Sequence, residues 1–391
     1  MQTEIPDRPG YFGEFGGCFA PEILMQYMLE LERVYSSCRL DAAFQSEFND
    51  LLHKHAGRQT PLYLAEHLSR HAGGASIYLK REDLTATGSH HINAALGQTL
   101  LAKKMGKTIL VTDTATGLHG LAVARAAALM ELECHVFIGT RDRDRQVDCV
   151  EKIEALGAKV TTIESGRGSR LEANEETTRF WLGSLQDCFY VVNSVIGPHP
   201  YPLMVRDFQS VIGDEVKEQI VSVTGNTPDH LVACVGAGSN AIGLFYAFLD
   251  TDVPMTGVQA AGDSTGLDAN VKLDRMGVFQ GVRTSIRQDK NGQILNNESL
   301  AVGLQTCMRG PELCFLQSTG RLAIASATDS EALAAYHLIY ELESISVALE
   351  SAHAIAWGLA LAASLDADKN IVINLSGKGE KDASQVAGDP Q

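Results

Sequence analysis

The sequence predicts an α/β protein of two domains, each a twisted, mainly parallel sheet flanked by helices. Three observations carry this expectation. Short apolar runs alternate with helix-length stretches along most of the chain. Glycine-containing turns separate a run from the helix that follows it. A length of 391 residues exceeds what one hydrophobic core ordinarily serves.

The elements follow in order. Residues 108–112 (Thr-Ile-Leu-Val-Thr) read as a buried strand, followed by a glycine turn and an alanine-rich helix over 120–130. A second strand covers 134–139, a helix over 146–156 closes at Gly157, and a third strand covers 159–163. The second half repeats the alternation, with strand 231–235, a glycine loop, helix 241–249 and strand 254–260. Near the end a helix over 348–365 precedes strand 371–375. Strand, loop, helix, strand in repetition makes the sheets parallel, and ligands then sit at the carboxyl ends of strands, between the domains.

Composition bounds the function. Hydrophobic residues make up 45% and charged residues 20%, as in ordinary globular chains. The net charge of -16 speaks against a nucleic-acid partner, which needs clustered positive charge. The run Arg141-Asp142-Arg143-Asp144-Arg145 alternates in sign and reads as a solvated, self-neutralising loop. The eight cysteines show no Cys-x-x-Cys pair, so metal-ligand spacing is absent and buried, reduced thiols are expected. That usage fits a reducing cytoplasm. No signal peptide and no membrane-spanning stretch is visible, and the tail after Asp382 is expected to fray.

Four strand-end loops could carry chemistry. In the first, Gly236, Ala237, Gly238, Ser239 and Asn240 lie between a strand and a helix. Bare backbone N–H groups there suit a phosphate or another anion; the alternative is a plain tight turn. In the second, Ser89, His90 and His91 open a helix over 92–104. Two histidines at a helix start suit a switch, a base or an anion contact; as adjacent residues they should point apart and not share a metal. The third loop runs from Asp113 through Thr114, Ala115, Thr116, Gly117, Leu118 and His119. Its amides could receive a carboxylate, and Asp113 is a candidate acid or base, unless Asp113 or Thr114 simply caps the helix. The fourth presents Ser376 at a strand end.

Taken together, these loops resemble the tryptophan synthase β subunit family, which are fold-type II pyridoxal-phosphate enzymes. The resemblance covers almost the whole chain. It rests on Gly10-Tyr11-Phe12-Gly13-Glu14-Phe15-Gly16-Gly17, Thr60-Pro61-Leu62-Tyr63 and Lys80-Arg81-Glu82-Asp83-Leu84. It rests also on Gly197-Pro198-His199-Pro200-Tyr201-Pro202, Leu349-Glu350-Ser351-Ala352-His353-Ala354 and the Ser376 loop. It implies an N-terminal domain of residues 1–56 plus 90–208, with a mobile communication segment at about 106–193. It implies a C-terminal domain of residues 57–89 plus 209–391 that carries the phosphate loop 236–240. By the same resemblance His90 lies beside the cofactor phosphate, Ser376 meets the pyridine nitrogen, Glu350 sits close to the ring, and Ser194 lies near the cofactor. The amino-acid carboxylate would rest on the amides of 114–119.

The chain departs from that family at the chemistry. The family reads Gly-Ala-His-Lys-Ile-Asn where this chain has Gly88-Ser89-His90-His91-Ile92-Asn93. His91 thus stands where the Schiff-base lysine is expected, and imidazole has no primary amine. His91 could keep the lysine's second role of moving a proton, given a pKa near neutrality. The family's glutamate becomes Asp113, one glycine becomes Ala115, Thr116 adds bulk, and a glutamine becomes Leu118. Gln305 replaces the aspartate of a closing salt bridge. These departures lead to an expected enzyme repurposed for an indole-like or other aromatic small molecule, of lyase, isomerase or cyclisation type, with His91 and Asp113 as acid–base groups. No covalent cofactor is expected; pyridoxal phosphate is held non-covalently, or another phosphate takes its place. Two alternatives stand beside it. One is a non-catalytic partner of an α-type or β-type subunit. The other is residual tryptophan synthesis from serine and indole. A homodimer and an α-type partner follow from the resemblance, with no nucleic acid and no membrane.

Overall fold

The computed structural model describes residues 8–262, 275–295 and 297–387. The larger sheet has six strands, in the order Ala323–Ala327, Met255–Ala260, His230–Cys234, Asn370–Leu375, Ser76–Arg81 and Leu62–Leu64. All neighbours are parallel except the last pair. The smaller sheet is fully parallel, in the order Lys159–Ile163, Glu133–Gly139, Ile109–Thr114 and Cys188–Tyr190. Central strands such as Asn370–Leu375 are apolar and buried on both faces, as a parallel sheet covered by helices requires. Both parallel sheets end their strands in the loops singled out from the sequence.

A third, antiparallel sheet joins Tyr11–Phe12 and Phe15–Gly16 to the hairpin Arg275–Phe279 and Val282–Ile286. Gly16 pairs with Arg283, so the beginning of the chain is hydrogen-bonded to a late segment. Short stretches of this kind carry no apolar period of their own, and the sequence did not announce the sheet.

Most predicted elements lie within two residues of the observed ones, and strand Lys159–Ile163 coincides with its expected bounds. Two expectations are corrected. Residues 141–145 are no solvated loop: Thr140–Arg145 is a helix whose Asp142 is buried. Burial pushes the Asp142 carboxyl up to about 6 in spite of Arg141, Arg145 and Arg170 nearby. The tail after Asp382 also forms a short helix, Ala383–Ala387, anchored where Gln385 donates to the Leu300 carbonyl. All eight cysteines are free, and six of them are buried. Among the described residues no helix is long and apolar enough to cross a membrane.

A buried charge network locks the second candidate loop in place. Arg58 donates to Glu215 at 2.9 and 2.5 Å and to Glu82 at 2.8 and 2.6 Å. Lys80 donates to Glu215 at 2.6 Å and to the Thr60 carbonyl at 2.8 Å. Asn93 donates to Glu82 and to Gln209, and Gln209 donates to the His90 carbonyl, each at 3.1 Å. Two cations and two anions thus balance with their side chains at 0–6% exposure. Burial raises the Glu82 carboxyl, but Arg58 and Lys80 overcome it and hold its pKa down to about 2.

Removing one partner of such a set leaves a buried charge uncompensated. Glu215→Ala is expected to cost about 3–5 kcal/mol in urea unfolding. The stability that Glu82 supplies is fully present above its unfolded pKa of about 4.3 and lost as pH falls toward 2. Acid unfolding followed by circular dichroism should therefore steepen below about pH 4.3 in the wild type.

Candidate active site

The glycine loop follows strand His230–Cys234 and enters helix Ser239–Phe245. Gly238 adopts φ +105°, open mainly to glycine. At Gly236 a Cβ would overlap the Gly303 carbonyl oxygen, so the loop packs backbone against backbone. The Asn240 amide donates to the Cys234 carbonyl at 3.0 Å and pins the turn.

His90 reaches this loop from the start of the helix His91–Lys104. Its Nδ1 lies 2.9 Å from the Ser376 carbonyl oxygen and its Nε2 2.9 Å from Ser239 Oγ. A carbonyl only accepts, so Nδ1 carries the hydrogen. Burial lowers the His90 pKa, and the neutral ring then accepts the Ser239 hydroxyl at Nε2. His91 lies against it, ring centroids 4.2 Å apart and tilted by 33°. His119 meets the other side of His91 at 5.1 Å, edge on. The two adjacent histidines were expected to point apart. Instead both rings face one cleft, because they stand at the helix start, where no preceding turn obstructs them. Among the described residues no group of His, Cys, Asp and Glu is disposed to hold a metal ion.

The His91 pKa is corrected from the sequence expectation. Burial first, then the neighbouring His90, His119 and Arg170, push it well below the usual histidine value. Burial likewise takes His119 down to about 4. At neutral pH the three imidazoles are uncharged bases.

The cleft brings together most of the residues singled out from the sequence. Ser194, Glu350, Ser376 and the loop 236–240 line it with His90 and His91, and so do Thr114, Ala115, Thr116, Leu118 and His119. Gly117 does not line it; at φ +74° it turns the chain against Cys149. The helix N-cap is Gly117, neither Asp113 nor Thr114, although Thr114 Oγ accepts the Gly120 N–H at 3.3 Å. Asp113 faces a neighbouring cavity of about 370 Å³, walled by Phe19, Trp181, Tyr190 and Tyr201. Its carboxylate accepts from Tyr190 at 2.5 Å, Asn174 at 3.3 Å, Asn193 at 3.4 Å and Arg170 at 3.5 Å. Arg170 and Asn193 line both cavities and so connect Asp113 to the cleft.

Arg170, Asn193 and Lys381 line the cleft and were not anticipated. Arg170 lies within the capping box of Ser169 and Glu172, a signature legible in sequence, but its direction was not. Lys381 donates to Glu350 at 2.8 Å and to Asp382 at 2.7 Å, and those two acids raise its pKa despite burial. Glu350 also accepts the Gly303 N–H at 2.7 Å. Lys381 is thus a protonated ammonium and not a free nucleophile.

Residues 54–377 match the family described as pyridoxal-phosphate dependent enzyme. This chain belongs to that family. A tryptophan synthase beta chain from Vesicomyosocius okutanii subsp. Calyptogena okutanii (strain HA) is 47% identical over 391 residues, covering 98% of this chain and 97% of the relative. Among solved structures, a fungal L-serine ammonia-lyase from Rhizomucor miehei superposes with a TM-score of 0.66 at 18% identity, over 84% of this chain and 96% of its own. The serine racemase from Dictyostelium discoideum gives 0.63 at 21%, over 85% and 96%. These two likenesses establish the fold.

The family implies pyridoxal phosphate, and the residues here fit most of it. Ser89 Oγ, Ser194 Oγ and His119 Nδ1 are buried in the cleft wall without a hydrogen-bond partner, as expected where a polar ligand supplies the partners. The loop 236–240, with Gly236 and Gly238 bare of side chains, suits an anion such as the phosphate, and Ser376 lines the same cleft. Among the described residues no unpaired primary amine lines the cleft for the aldehyde.

An anion on the cradle needs hydrogen donors. A neutral His90 draws the Ser239 hydroxyl hydrogen to itself; a protonated His90 would donate to Ser239 Oγ and free that hydrogen for the ligand. Sulfate binding near pH 7.5 is therefore expected to take up a proton. The calorimetric enthalpy should change with the ionisation enthalpy of the buffer, and affinity should fall as pH rises. His90→Gln should abolish the uptake; a buffer-independent enthalpy in the wild type would refute the coupling.

Proposed function

We propose that this tryptophan synthase β-like protein is an enzyme acting on an aromatic, indole-like small molecule, with His91 as the proton-moving group and no covalent tether to a cofactor. One observation carries the reading. His91 is an uncharged imidazole, without a hydrogen-bond partner among the described residues, facing a cleft that adjoins an aromatic-walled cavity.

The chain's own residues divide the work. The amides of 236–238 and Ser239, the latter set by His90, would hold a phosphate, whether of pyridoxal phosphate or of another ligand. Ser376 would meet the ring nitrogen of a bound cofactor, and Glu350 lines the same cleft, its charge held by Lys381 and the Gly303 N–H. Pyridoxal phosphate, if bound, would supply an electron sink only toward a substrate that carries its own primary amine. The walls of Trp181, Tyr190, Tyr201 and Phe19 exclude water and orient an aromatic ring. His91 Nε2 or Nδ1 takes a proton from the substrate and returns it. Asp113 fixes Arg170 and Asn193 at the junction and acts as the second acid–base group. Lyase, isomerase and cyclisation chemistry all need such a proton shuttle.

The identity of 47% to a tryptophan synthase beta chain supports a second reading, slow tryptophan formation from serine and indole with the cofactor held by its phosphate. It also supports an α-type partner and a homodimer.

Indole in D₂O tests the main reading without any other reactant. Hydrogen–deuterium exchange at ring carbon, followed by NMR, should be catalysed by the wild type and fall about 10²–10⁴-fold in His91→Ala. Because the His91 pKa is depressed, the base form persists through neutrality, and the acid limb should lie below about pH 6.5. Equal exchange in His91→Ala rejects the proposal. Borohydride reduction with pyridoxal phosphate, followed by mass spectrometry, should leave no pyridoxyl-lysine in the cleft; a modified Lys381 would reject the absence of a tether.

A further inference from the structure

Arg170 occupies an unusual position. It heads the helix Arg170–Leu182 and lines the main cleft, the aromatic cavity and a third cavity that also holds Arg141 and Arg167. Its side chain keeps 34% exposure while standing between them. A guanidinium presents five N–H donors in a planar fork. One goes to Asn193 Oδ1 at 3.0 Å and one toward Asp113 Oδ2 at 3.5 Å. The other three find no partner among the described residues.

Asp113 pairs with this charge but takes only the Nε corner of the fork, leaving Nη1 and one N–H of Nη2 open. Its carboxylate already receives Tyr190, Asn174 and Asn193, and the Arg170 contact is the longest of the four. In the third cavity Arg141, Arg167 and Arg170 stand with two acids, Asp142 and Glu298, among the described residues. A permanently charged fork with three open N–H donors therefore lines an aromatic-walled cavity, its one carboxylate neighbour there among the described residues being Asp113. Planar, paired donors of this kind match a carboxylate.

We propose that Arg170 is a specificity-determining residue that holds a carboxylate on the aromatic substrate. The substrate class is then an aromatic carboxylic acid, its ring in the cavity of Trp181 and Tyr190 and its carboxylate on the guanidinium. This rests on the aromatic reading above and adds the anionic group to it.

Calorimetry on the full-length protein with indole and with indole-2-carboxylate tests it. The wild type should bind the acid at least about tenfold more tightly than indole, as a charge-assisted pair supplies. Arg170→Leu should erase that preference while leaving indole affinity within about twofold, and Arg170→Lys should retain part of it. Sulfate binding at the glycine loop checks that each variant is folded; should Arg170→Leu fail that check, loss of most of the preference in Arg170→Lys decides in favour. Indole binding without a preference for the acid overturns this inference alone. A preference that survives Arg170→Leu also overturns it, placing the carboxylate elsewhere. Failure of both aromatics to bind, with sulfate still bound, overturns this inference and the aromatic reading together.

Discussion

The site depends on a charge set buried behind it. Arg58 and Lys80 lie between Glu82 and Glu215, and from Glu82 the bonds run through Asn93 and Gln209 to the backbone of His90. Ion pairs at such depth offset a large desolvation cost only when every partner is in place, so they are poor general stabilisers and strict positional clamps. Here the clamp sets where the helix His91–Lys104 begins. It thereby sets where two imidazoles enter the cleft. The glycine loop, the Ser376 strand end and the Asp113 strand end are all placed by the sheets; the histidines alone need this additional lock.

The electrostatics of the cleft follow from that placement. Burial first, and then His90 and His119, discourage protonation of His91, which packs between them with ring centroids 4.2 and 5.1 Å away. Lys381 is the opposite case, a cation stabilised by Glu350 and Asp382. The cleft thus holds bases that stay neutral and an amine that stays charged. This division suits proton transfer by imidazole and leaves the lysine as a structural counter-ion.

Much of this was legible in the sequence. Strands such as His230–Cys234 and Asn370–Leu375 are apolar runs ended by small residues, and the loops that follow them carry the glycines and hydroxyls that line the cleft. What could not be read was direction. Asp113 sits at a strand end like a catalytic acid, yet its carboxylate turns to Tyr190 and the aromatic cavity, because four donors lie on that side. Arg170 belongs to a helix start with an ordinary capping box, and nothing local tells that its side chain crosses to the cleft. The alternating charges of 141–145 failed for a related reason. Pattern suggested full solvation, but packing buried Asp142 on the inner face of a short helix. Periodicity reports which face of an element is apolar; it does not report which distant element will come to lie there.

The contact between Gly236 and the Gly303 carbonyl leaves no space for a methyl group, and the Gly303 N–H is tied in turn to Glu350. Main chain touches main chain, so no rotamer change can alter the spacing between the glycine loop and the Gly303 turn. That wall of the cleft therefore keeps one width whatever its side chains do.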